Sequence, residues 1–141
     1  MIINSNSISA AIVDLSPVGK DLPEPLIARF NALQVPTFNE PAKLPEWGFI
    51  FSPYVCFARP VDFLEEKSFL KLIDQYLSLL LSLLVRVSVN DIDSLDSMNR
   101  LNYQKRYCSN QKRNEKTRRI LTKFFGYTWA DEYINKILFE C

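Results

Sequence analysis

The segment Tyr107–Arg119 contains the side chains of this sequence that are best suited to chemistry. Within thirteen residues it combines a phenol, the amides Gln111 and Asn114, and several cations. Amide side chains can hydrogen-bond to carbonyl or pyrrole N–H groups, while Lys and Arg can pair with carboxylates. This mixture suits a planar ligand with acidic side arms. A solvated basic helix face has the same composition, so the composition leaves both interpretations open.

The same part of the chain is strongly basic. Between Gln104 and Lys123 there are eight Lys and Arg residues and a single acid, Glu115, whereas the whole chain has a net charge of +1. A local cationic surface can attract an acidic protein or hold anionic ligand groups. A basic nucleic-acid-binding helix is a weaker interpretation, because no helix-turn-helix or zinc pattern accompanies it. We therefore expect no nucleic-acid partner.

Several common kinds of catalytic and metal site are absent from the sequence. There is no histidine, which excludes Ser-His-Asp and Cys-His catalysis. The cysteines Cys56, Cys108 and Cys141 are far apart in sequence, so we expect neither a zinc site nor a disulfide framework. No glycine-rich nucleotide-binding or phosphate-binding motif is present. Acid–base chemistry would fall to carboxylates, tyrosines or lysines.

The composition predicts one globular domain over residues 1–141, because 48% of the residues are hydrophobic and 13% are aromatic. The most apolar run, Gln75–Val85, is shorter than the roughly 20 residues that span a bilayer. Residues Met1–Ser16 lack the basic start of a secretory signal. We therefore expect a cytoplasmic protein with no membrane partner.

The sequence pattern predicts a mixed α+β fold. Strands are expected at Ile8–Leu15 and at Gly48–Arg59, the second interrupted near Pro53. The predicted helices are Pro25–Leu33, a long helix from a cap at Asp62 to about Leu84, Asn99–Asn114, Glu115–Phe125 ending at Gly126, and a last helix capped by Thr128. Two strands alone make a poor sheet. Either further strands escape the pattern, or other sequence completes the sheet.

The segment Tyr107–Cys141 resembles the C-terminal signature of the ferredoxin-dependent bilin reductases. The shared pattern is Tyr-Cys, a Gln, Asn-x-Lys-Thr-Arg-Arg, a Leu, Phe-Gly, Trp-Ala, a Tyr and a closing Leu-Phe-acid. The segments Ser9–Pro17 and Leu44–Tyr54 and the step Arg59-Pro60 are similar to the phycocyanobilin-forming branch of that family. The resemblance extends from about Ile8 to the end of the chain.

This resemblance implies a three-layer α/β/α sandwich around a central antiparallel sheet. Biliverdin IXα would lie between the sheet and the C-terminal helices, and phycocyanobilin would be the product. Single electrons would come from a reduced 2Fe–2S ferredoxin, and the enzyme, a monomer, would hold no metal or organic cofactor of its own.

The resemblance also implies roles for individual residues. Asn114 and Lys116 match positions that line the bilin pocket, and Ser9 matches a position near a propionate. The other positions at or near the pocket are Tyr107, Gln111, Ile120, Leu138 and Phe139. Ala42 stands where the family has an arginine that binds a propionate. Lys43 is the candidate substitute, although its ammonium group is a point charge and cannot form the bidentate hydrogen bonds of a guanidinium. The candidates for docking ferredoxin are Lys112, Arg113, Arg118, Arg119 and Lys123.

The Glu, His and Asp residues that handle protons in this family would lie upstream of Ser9–Pro17, so no catalytic residue is expected here. We therefore expect the chain to be the C-terminal part of a bilin reductase domain and to be inactive alone. A non-catalytic bilin-binding fragment and one half of a split enzyme are the alternatives. The sequence does not distinguish a truncated chain, a split gene and a degenerate copy.

Overall fold

The computed structural model describes residues 8–140, which form helices and a small antiparallel sheet, so the predicted α+β class is confirmed. The elements are β1 Ala11–Val13, α1 Glu24–Asn31, a 3-10 helix Glu46–Ile50, β2 Cys56–Ala58, α2 Phe63–Leu84, α3 Leu95–Gln111, α4 Glu115–Phe125, α5 Tyr127–Tyr133 and a π-helical segment Ile134–Leu138. The chain divides into two compact units, Met1–Val89 and Asn90–Cys141. A single domain with a three-layer arrangement stays a prediction.

The sheet of the first unit consists of β1 and β2 in antiparallel register. Ala11 lies opposite Ala58, and Val13 lies opposite Cys56. One face of the sheet is covered by Phe38 and by Phe69 of α2, and these rings bury Ala58 to 1% exposure. Burial of small and β-branched residues against aromatic rings holds this short sheet on the helix.

The predicted strand Gly48–Arg59 is wrong in its first part, where the chain forms the 3-10 helix Glu46–Ile50. Pro45 precedes this helix, and its carbonyl accepts from the backbone N–H of Gly48 at 2.8 Å, which closes the first turn. The turn is tight at Gly48, where an added Cβ would lie 2.8 Å from the Cβ of Leu44. Local turn geometry therefore overrides the β propensity of the aromatic sequence, and strand geometry begins only at Cys56.

Helix α2 begins where the sequence predicts. The side chain of Asp62 accepts a hydrogen bond from the backbone N–H of Glu65 at 2.8 Å, which satisfies one free donor of the first turn. The carboxylate of Glu65 accepts from the backbone N–H groups of Val61, at 3.0 Å, and of Asn39, at 2.9 Å. Glu65 therefore ties the start of α2 to the segment that contains Phe38.

The largest core cluster lies between α1 and α2. The ring of Phe30 stacks on Tyr54 with centroids 4.6 Å apart and meets Tyr76 edge-on at 4.9 Å. Leu72 is fully buried beside them, and the hydroxyl of Tyr76 donates to the backbone carbonyl of Tyr54. Aromatic packing of this kind contributes beyond the area that it buries.

The opposite side of α2 carries an apolar stripe, defined by Leu70, Ile73, Leu77, Leu81 and Leu84. Their exposed fractions are between 37% and 62%. The spacing of three and four residues places them on one side of the helix. Helix α2 is therefore apolar on two faces, only one of which lies in the core of the first unit.

Two residues in capping positions, Ser94 and Gly126, define the ends of helices in the second unit. The hydroxyl of Ser94 accepts from the backbone N–H of Ser97 at 3.2 Å and begins α3. Gly126, with φ 84°, ends α4 and also begins α5. The prediction that Thr128 caps the last helix is therefore wrong, because Thr128 lies within the first turn of α5. None of the helices in the described part is long and apolar enough to cross a membrane.

The cysteines do not all follow the sequence prediction. Cys56 is a free, half-buried thiol, and burial raises its pKa. Cys108 is disulfide-bonded, which the sequence analysis did not predict, because spacing along the chain does not report which sulfur atoms a fold brings together. Cys141 lies outside the described residues.

Candidate functional site

The end of α3 and the start of α4 bring three of the predicted site residues together. Tyr107 and Gln111 lie one turn apart, and the side-chain amide of Gln111 donates to the Tyr107 hydroxyl at 2.9 Å. The backbone N–H of Asn114 donates to the carbonyl of Gln111 at 3.0 Å. All three residues are half-buried. This corner, which we call the polar corner, offers amide and phenol groups that are held in place by the protein itself.

Asn114 has a structural role that the sequence analysis missed. Its side-chain oxygen accepts from the backbone N–H of Thr117 at 3.2 Å, which makes it the N-cap of α4. An Asn immediately before a helical pattern is the signal that could have revealed this role. Because the cap uses the oxygen, the side-chain NH₂ group is the part of Asn114 that can donate to a ligand acceptor.

Lys116 and Ile120 lie one turn apart on α4, and both are exposed. Ile120 has an exposed fraction of 48%, which is high for an apolar residue of a helix. This spacing places an ammonium group and an apolar side chain next to each other on one helix face. Such a pair can hold an acidic arm of a ligand while it covers an apolar ring.

A second face of α4 lines an open groove of about 370 Å³. The residues that line this basic groove are Glu115, Arg118, Arg119, Thr122, Lys123 and Tyr127. Arg118 donates to the carboxylate of Asp131 at 2.5 Å, and only 19% of its side chain is exposed. Arg119 and Lys123 are exposed, so they are the cations of the groove that a partner can reach.

The other two docking candidates lie outside this groove. Lys112 and Arg113 form the turn between α3 and α4. The backbone N–H groups of both residues bond to carbonyls of the last turn of α3. The predicted docking cations thus fall into two sets, one in the turn and one on the helix.

Three aromatic rings form a ladder across the junction of α4 and α5. The centroids of Phe125 and Trp129 are 4.5 Å apart, and Trp129 stacks on Tyr133 at 4.8 Å with an angle of 10° between the rings. Phe125 and Trp129 are substantially exposed, at 58% and 44%. The ladder is an apolar surface in which Phe125 is tilted by 37° against Trp129, while Trp129 and Tyr133 are nearly parallel.

Leu138 and Phe139 lie at the C-terminal end of the second unit. Leu138 closes the π-helical segment, and the backbone N–H of Phe139 donates to the carbonyl of Ile134 at 3.1 Å. Single π turns of this kind are frequent at functional sites because they shift side chains out of the regular helical register. Leu138 has an exposed fraction of 42%, and Phe139 is half-buried.

Ser9 and Lys43 lie in the first unit. The backbone carbonyl of Ser9 accepts from the guanidinium of Arg59 at 3.0 Å, which places Ser9 beside the end of β2. Lys43 follows Ala42, whose backbone N–H donates to Phe57, so Lys43 lies towards the Cys56 end of the same strand. The structure therefore does not bring these two exposed residues together.

Asp14 is a second residue that the sequence analysis did not single out. Its carboxylate accepts three hydrogen bonds: from the hydroxyl of Ser52 at 2.5 Å, from the backbone N–H of Ser52 at 3.0 Å and from the hydroxyl of Ser16 at 2.6 Å. Ser52 is buried to 3% exposure. An acid directly after an apolar strand is the signal that points to it. Asp14 fixes the end of β1 against the segment before β2.

Tyr76 is the described group with the most strongly shifted ionisation. Burial, followed by the nearby charges of Cys56 and Asp14, raises the pKa of Tyr76 to about 12. Because the hydroxyl donates to a backbone carbonyl in the core, this tyrosine is a structural group. Across the described part of the chain, no group of three or more acidic, cysteine or histidine residues could hold a metal ion.

Comparisons with known proteins agree with the sequence pattern. A family model described as "Ferredoxin-dependent bilin reductase" matches residues 1–140. The phycocyanobilin:ferredoxin oxidoreductase of Prochlorococcus marinus (strain MIT 9313) is 48% identical over 133 residues, which cover 94% of this chain and 50% of that protein. Proteins of the same name from Synechococcus sp. (strain CC9605) and Trichodesmium erythraeum (strain IMS101) are 45% and 37% identical, and 54% of each is covered. The chain thus spans about half the length of the curated relatives that it matches.

Proposed function

Because this chain belongs to the ferredoxin-dependent bilin reductase family, we propose that it is the bilin-facing and ferredoxin-facing part of an oxidoreductase. The reaction is the reduction of biliverdin IXα to phycocyanobilin with electrons from a reduced 2Fe–2S ferredoxin. The observation that supports this proposal best is the polar corner of Tyr107, Gln111 and Asn114, beside Lys116 and Ile120. The enzyme is proposed to be a cytoplasmic monomer without a bound cofactor of its own.

Recognition of the bilin is proposed to rest on complementary polar groups. The NH₂ group of Asn114 is a donor for a lactam carbonyl, since the oxygen of the same amide is used by the helix cap. Lys116 can pair with a propionate, and Ile120 can cover an adjacent ring. Tyr107, Gln111, Leu138 and Phe139 are proposed to complete the wall of the pocket. For Ser9 and Lys43, in the first unit, contact with a propionate is proposed on the family resemblance alone.

Ferredoxin is proposed to dock on the cations of α4 and of the preceding turn. Within the basic groove, Asp131 neutralises Arg118, whereas Arg119 and Lys123 stay exposed. Exposed cations attract an acidic protein over a distance, and this attraction weakens as the salt concentration rises. The docking set is therefore Lys112, Arg113, Arg119 and Lys123, with Arg118 acting chiefly as a fixed support.

The chain alone is proposed to bind a bilin without reducing it. Reduction needs protons as well as electrons, and the sequence contains no histidine to supply them near neutral pH. The resemblance assigns proton transfer to carboxylates and a histidine for which no counterpart is expected among the residues of this chain. Binding without turnover is therefore the expected behaviour of the purified chain.

The test is to mix the purified chain with biliverdin IXα, reduced ferredoxin and a reductant, and to follow the absorbance of the bilin. We expect a shift of the absorbance on binding and no conversion to phycocyanobilin. Lys116→Ala should weaken binding, whereas Lys20→Ala, at an exposed lysine of the first unit, should not. Rapid conversion would contradict the proposed inactivity, and an unchanged spectrum would contradict the proposed bilin site.

Docking is tested separately by measuring the affinity of the chain for reduced ferredoxin at two salt concentrations. Arg119→Glu together with Lys123→Glu should weaken binding at low salt and flatten the salt dependence, because two exposed attractions become repulsions. The matched control is Lys67→Glu with Lys71→Glu, two exposed lysines on α2. Equal loss in the control would mean that only the net charge matters.

A further inference from the structure

Helix α3 contains a disulfide-bonded cysteine, Cys108, next to the polar corner. Cys108 directly follows Tyr107 and lies one turn before Gln111. Its backbone carbonyl accepts from the N–H of Lys112 at 3.0 Å, in the last turn of the helix. A covalent bond at Cys108 therefore restrains the same turn that positions the phenol and the amide of the polar corner.

The partner of Cys108 follows by elimination from the cysteines of the sequence. The chain has two others, Cys56 and Cys141, and Cys56 is a free thiol of the first unit. Burial raises the pKa of Cys56, which disfavours exchange, because the thiolate is the reactive species. The remaining candidate is Cys141, which belongs with Cys108 to the second unit.

The two cysteines lie next to two groups of residues that are proposed to line the bilin pocket. The polar corner lies beside Cys108, and Leu138 and Phe139 lie within three residues of Cys141 in the sequence. A bond between the two cysteines closes a segment of thirty-three residues. Such a closure removes conformational freedom from the chain, so it limits how far the two groups can move apart.

Helix α3 gains little stability from apolar packing. None of its residues from Leu95 to Gln111 is buried. An isolated helix of this length is marginal in water, because most helical stability in proteins comes from the packing of an apolar face. The order of the end of α3 therefore depends strongly on its covalent connections, which are the turn to α4 and the disulfide at Cys108.

The proposed cytoplasmic location makes a permanent disulfide at Cys108 unusual. Thiol pools in the cytosol keep most cysteines reduced, and the disulfides that do occur there are mostly transient, with catalytic or redox-sensing roles. Cys108 is half-buried and not enclosed in the core, so a dithiol can reach its sulfur atom. The compartment and the accessibility of this bond both favour a reversible link over a structural staple.

We propose that the Cys108 disulfide, with Cys141 as its partner, is a reversible switch that orders the bilin-facing end of the second unit when oxidised and releases it when reduced. Reduction by a dithiol breaks the S–S bond by way of a mixed disulfide. The dithiol is oxidised to its own disulfide, and its two electrons and two protons convert both cysteines into thiols. The oxidised chain therefore presents a pre-organised pocket wall and binds the bilin more tightly. The effect on bilin affinity rests on the proposed function, whereas the bond itself does not.

The test first maps the bond in the full chain and then reduces it. After free thiols are blocked with an alkylating reagent, non-reducing digestion and mass spectrometry should show one linked pair of peptides, which contain Cys108 and Cys141. Dithiothreitol should remove this pair and speed amide hydrogen exchange over α3 by about tenfold or more. Once the reductant has been removed, the reduced chain should bind biliverdin IXα about tenfold or more weakly than the oxidised chain.

Three serine variants provide the controls for the switch. Cys108→Ser and Cys141→Ser should both behave as the reduced chain does, and neither should respond to dithiothreitol. Cys56→Ser is the matched control, because it removes a half-buried thiol that forms no disulfide, and it should respond as the parent chain does. If circular dichroism shows that Cys108→Ser is unfolded, the comparison of Cys141→Ser with Cys56→Ser decides.

The outcomes separate the switch from the proposed function. A peptide pair that contains Cys56, a link between two chains, or the absence of any linked pair overturns the assigned bond. Unchanged exchange over α3 after reduction, or equal affinity for the bilin in the oxidised and reduced chains, overturns the switch. If reduction speeds exchange over α3 but neither form binds biliverdin IXα, the switch stands and the proposed function fails.

Discussion

Replacing Asn114 separates its two roles, because the helix cap uses the side-chain oxygen and the ligand is expected to use the NH₂ group. In Asn114→Ala, the backbone N–H of Thr117 loses its acceptor at 3.2 Å. An N-cap contributes about 1 kcal/mol, with a range of roughly 0.5–2 kcal/mol. Helix α4 has no buried side chain among its described residues, so little packing compensates for the loss.

The local measurement is amide hydrogen exchange at Thr117. A loss of about 1 kcal/mol corresponds to exchange that is roughly fivefold faster in Asn114→Ala than in the parent chain. Asn114→Asp and Asn114→Ser keep an oxygen acceptor at the cap, so both should retain slow exchange. The aspartate is additionally favoured by the positive end of the helix dipole.

Titration with biliverdin IXα should not separate the three variants in the way that hydrogen exchange does. All three variants lack the NH₂ group, so all three should bind the bilin more weakly, by about fivefold to a hundredfold for one lost hydrogen bond. Asn114→Ser matters most, because it preserves the cap and adds no charge near a propionate. Parent-like affinity in Asn114→Ser would refute the ligand role. Unchanged exchange at Thr117 in Asn114→Ala would refute the cap.

Three further predictions concern stability. Leu72→Ala should lower the free energy of unfolding by about 2–5 kcal/mol in chemical denaturation, because Leu72 is fully buried. The pKa of Tyr76 is raised to about 12, against about 10 in the unfolded chain, so the folded state holds this proton more tightly. The free energy of unfolding should therefore not depend on this group below pH about 10, and it should fall by roughly 1–3 kcal/mol as the pH rises towards 12. This fall should be absent in Tyr76→Phe. A double-mutant cycle with Arg118→Met and Asp131→Asn should give a coupling energy of about 0.5–1 kcal/mol, and this energy should become smaller in high salt. A coupling energy that does not change with salt would mean that the ion pair is not its source.

The main helices were predictable from the sequence because each helix carries its own local signals. The Asp62 cap, the apolar spacing of α2 and the glycine after Phe125 each act within one or two turns, so the sequence contains all that is needed to place them. The predicted Asn99–Asn114 helix is confirmed as far as Gln111 and begins earlier, at Leu95, because the hydroxyl of Ser94 caps it.

Other features did not follow from the sequence pattern. The 3-10 helix around Gly48 depends on a tight local turn against Leu44, whereas the carboxylate of Asp14 accepts hydrogen bonds from Ser52, which lies thirty-eight residues away. The pairing of Arg118 with Asp131 likewise could not be deduced from composition, which treats every cation of the basic segment as equally available. Sequence patterns therefore predicted the candidate site residues, but did not distinguish the groups that stay available to a ligand from those that the protein itself uses.

The apolar stripe on α2 has a practical consequence for every solution measurement on this chain. Leu70 and Leu84 are fourteen residues apart, so the stripe is about 21 Å long and presents leucine side chains to water along that length. We expect the isolated chain to bind hydrophobic dyes and to have a solubility that falls with added sulfate, which strengthens apolar association. Melting temperatures should therefore be measured over a dilution series, because self-association makes apparent stability depend on protein concentration.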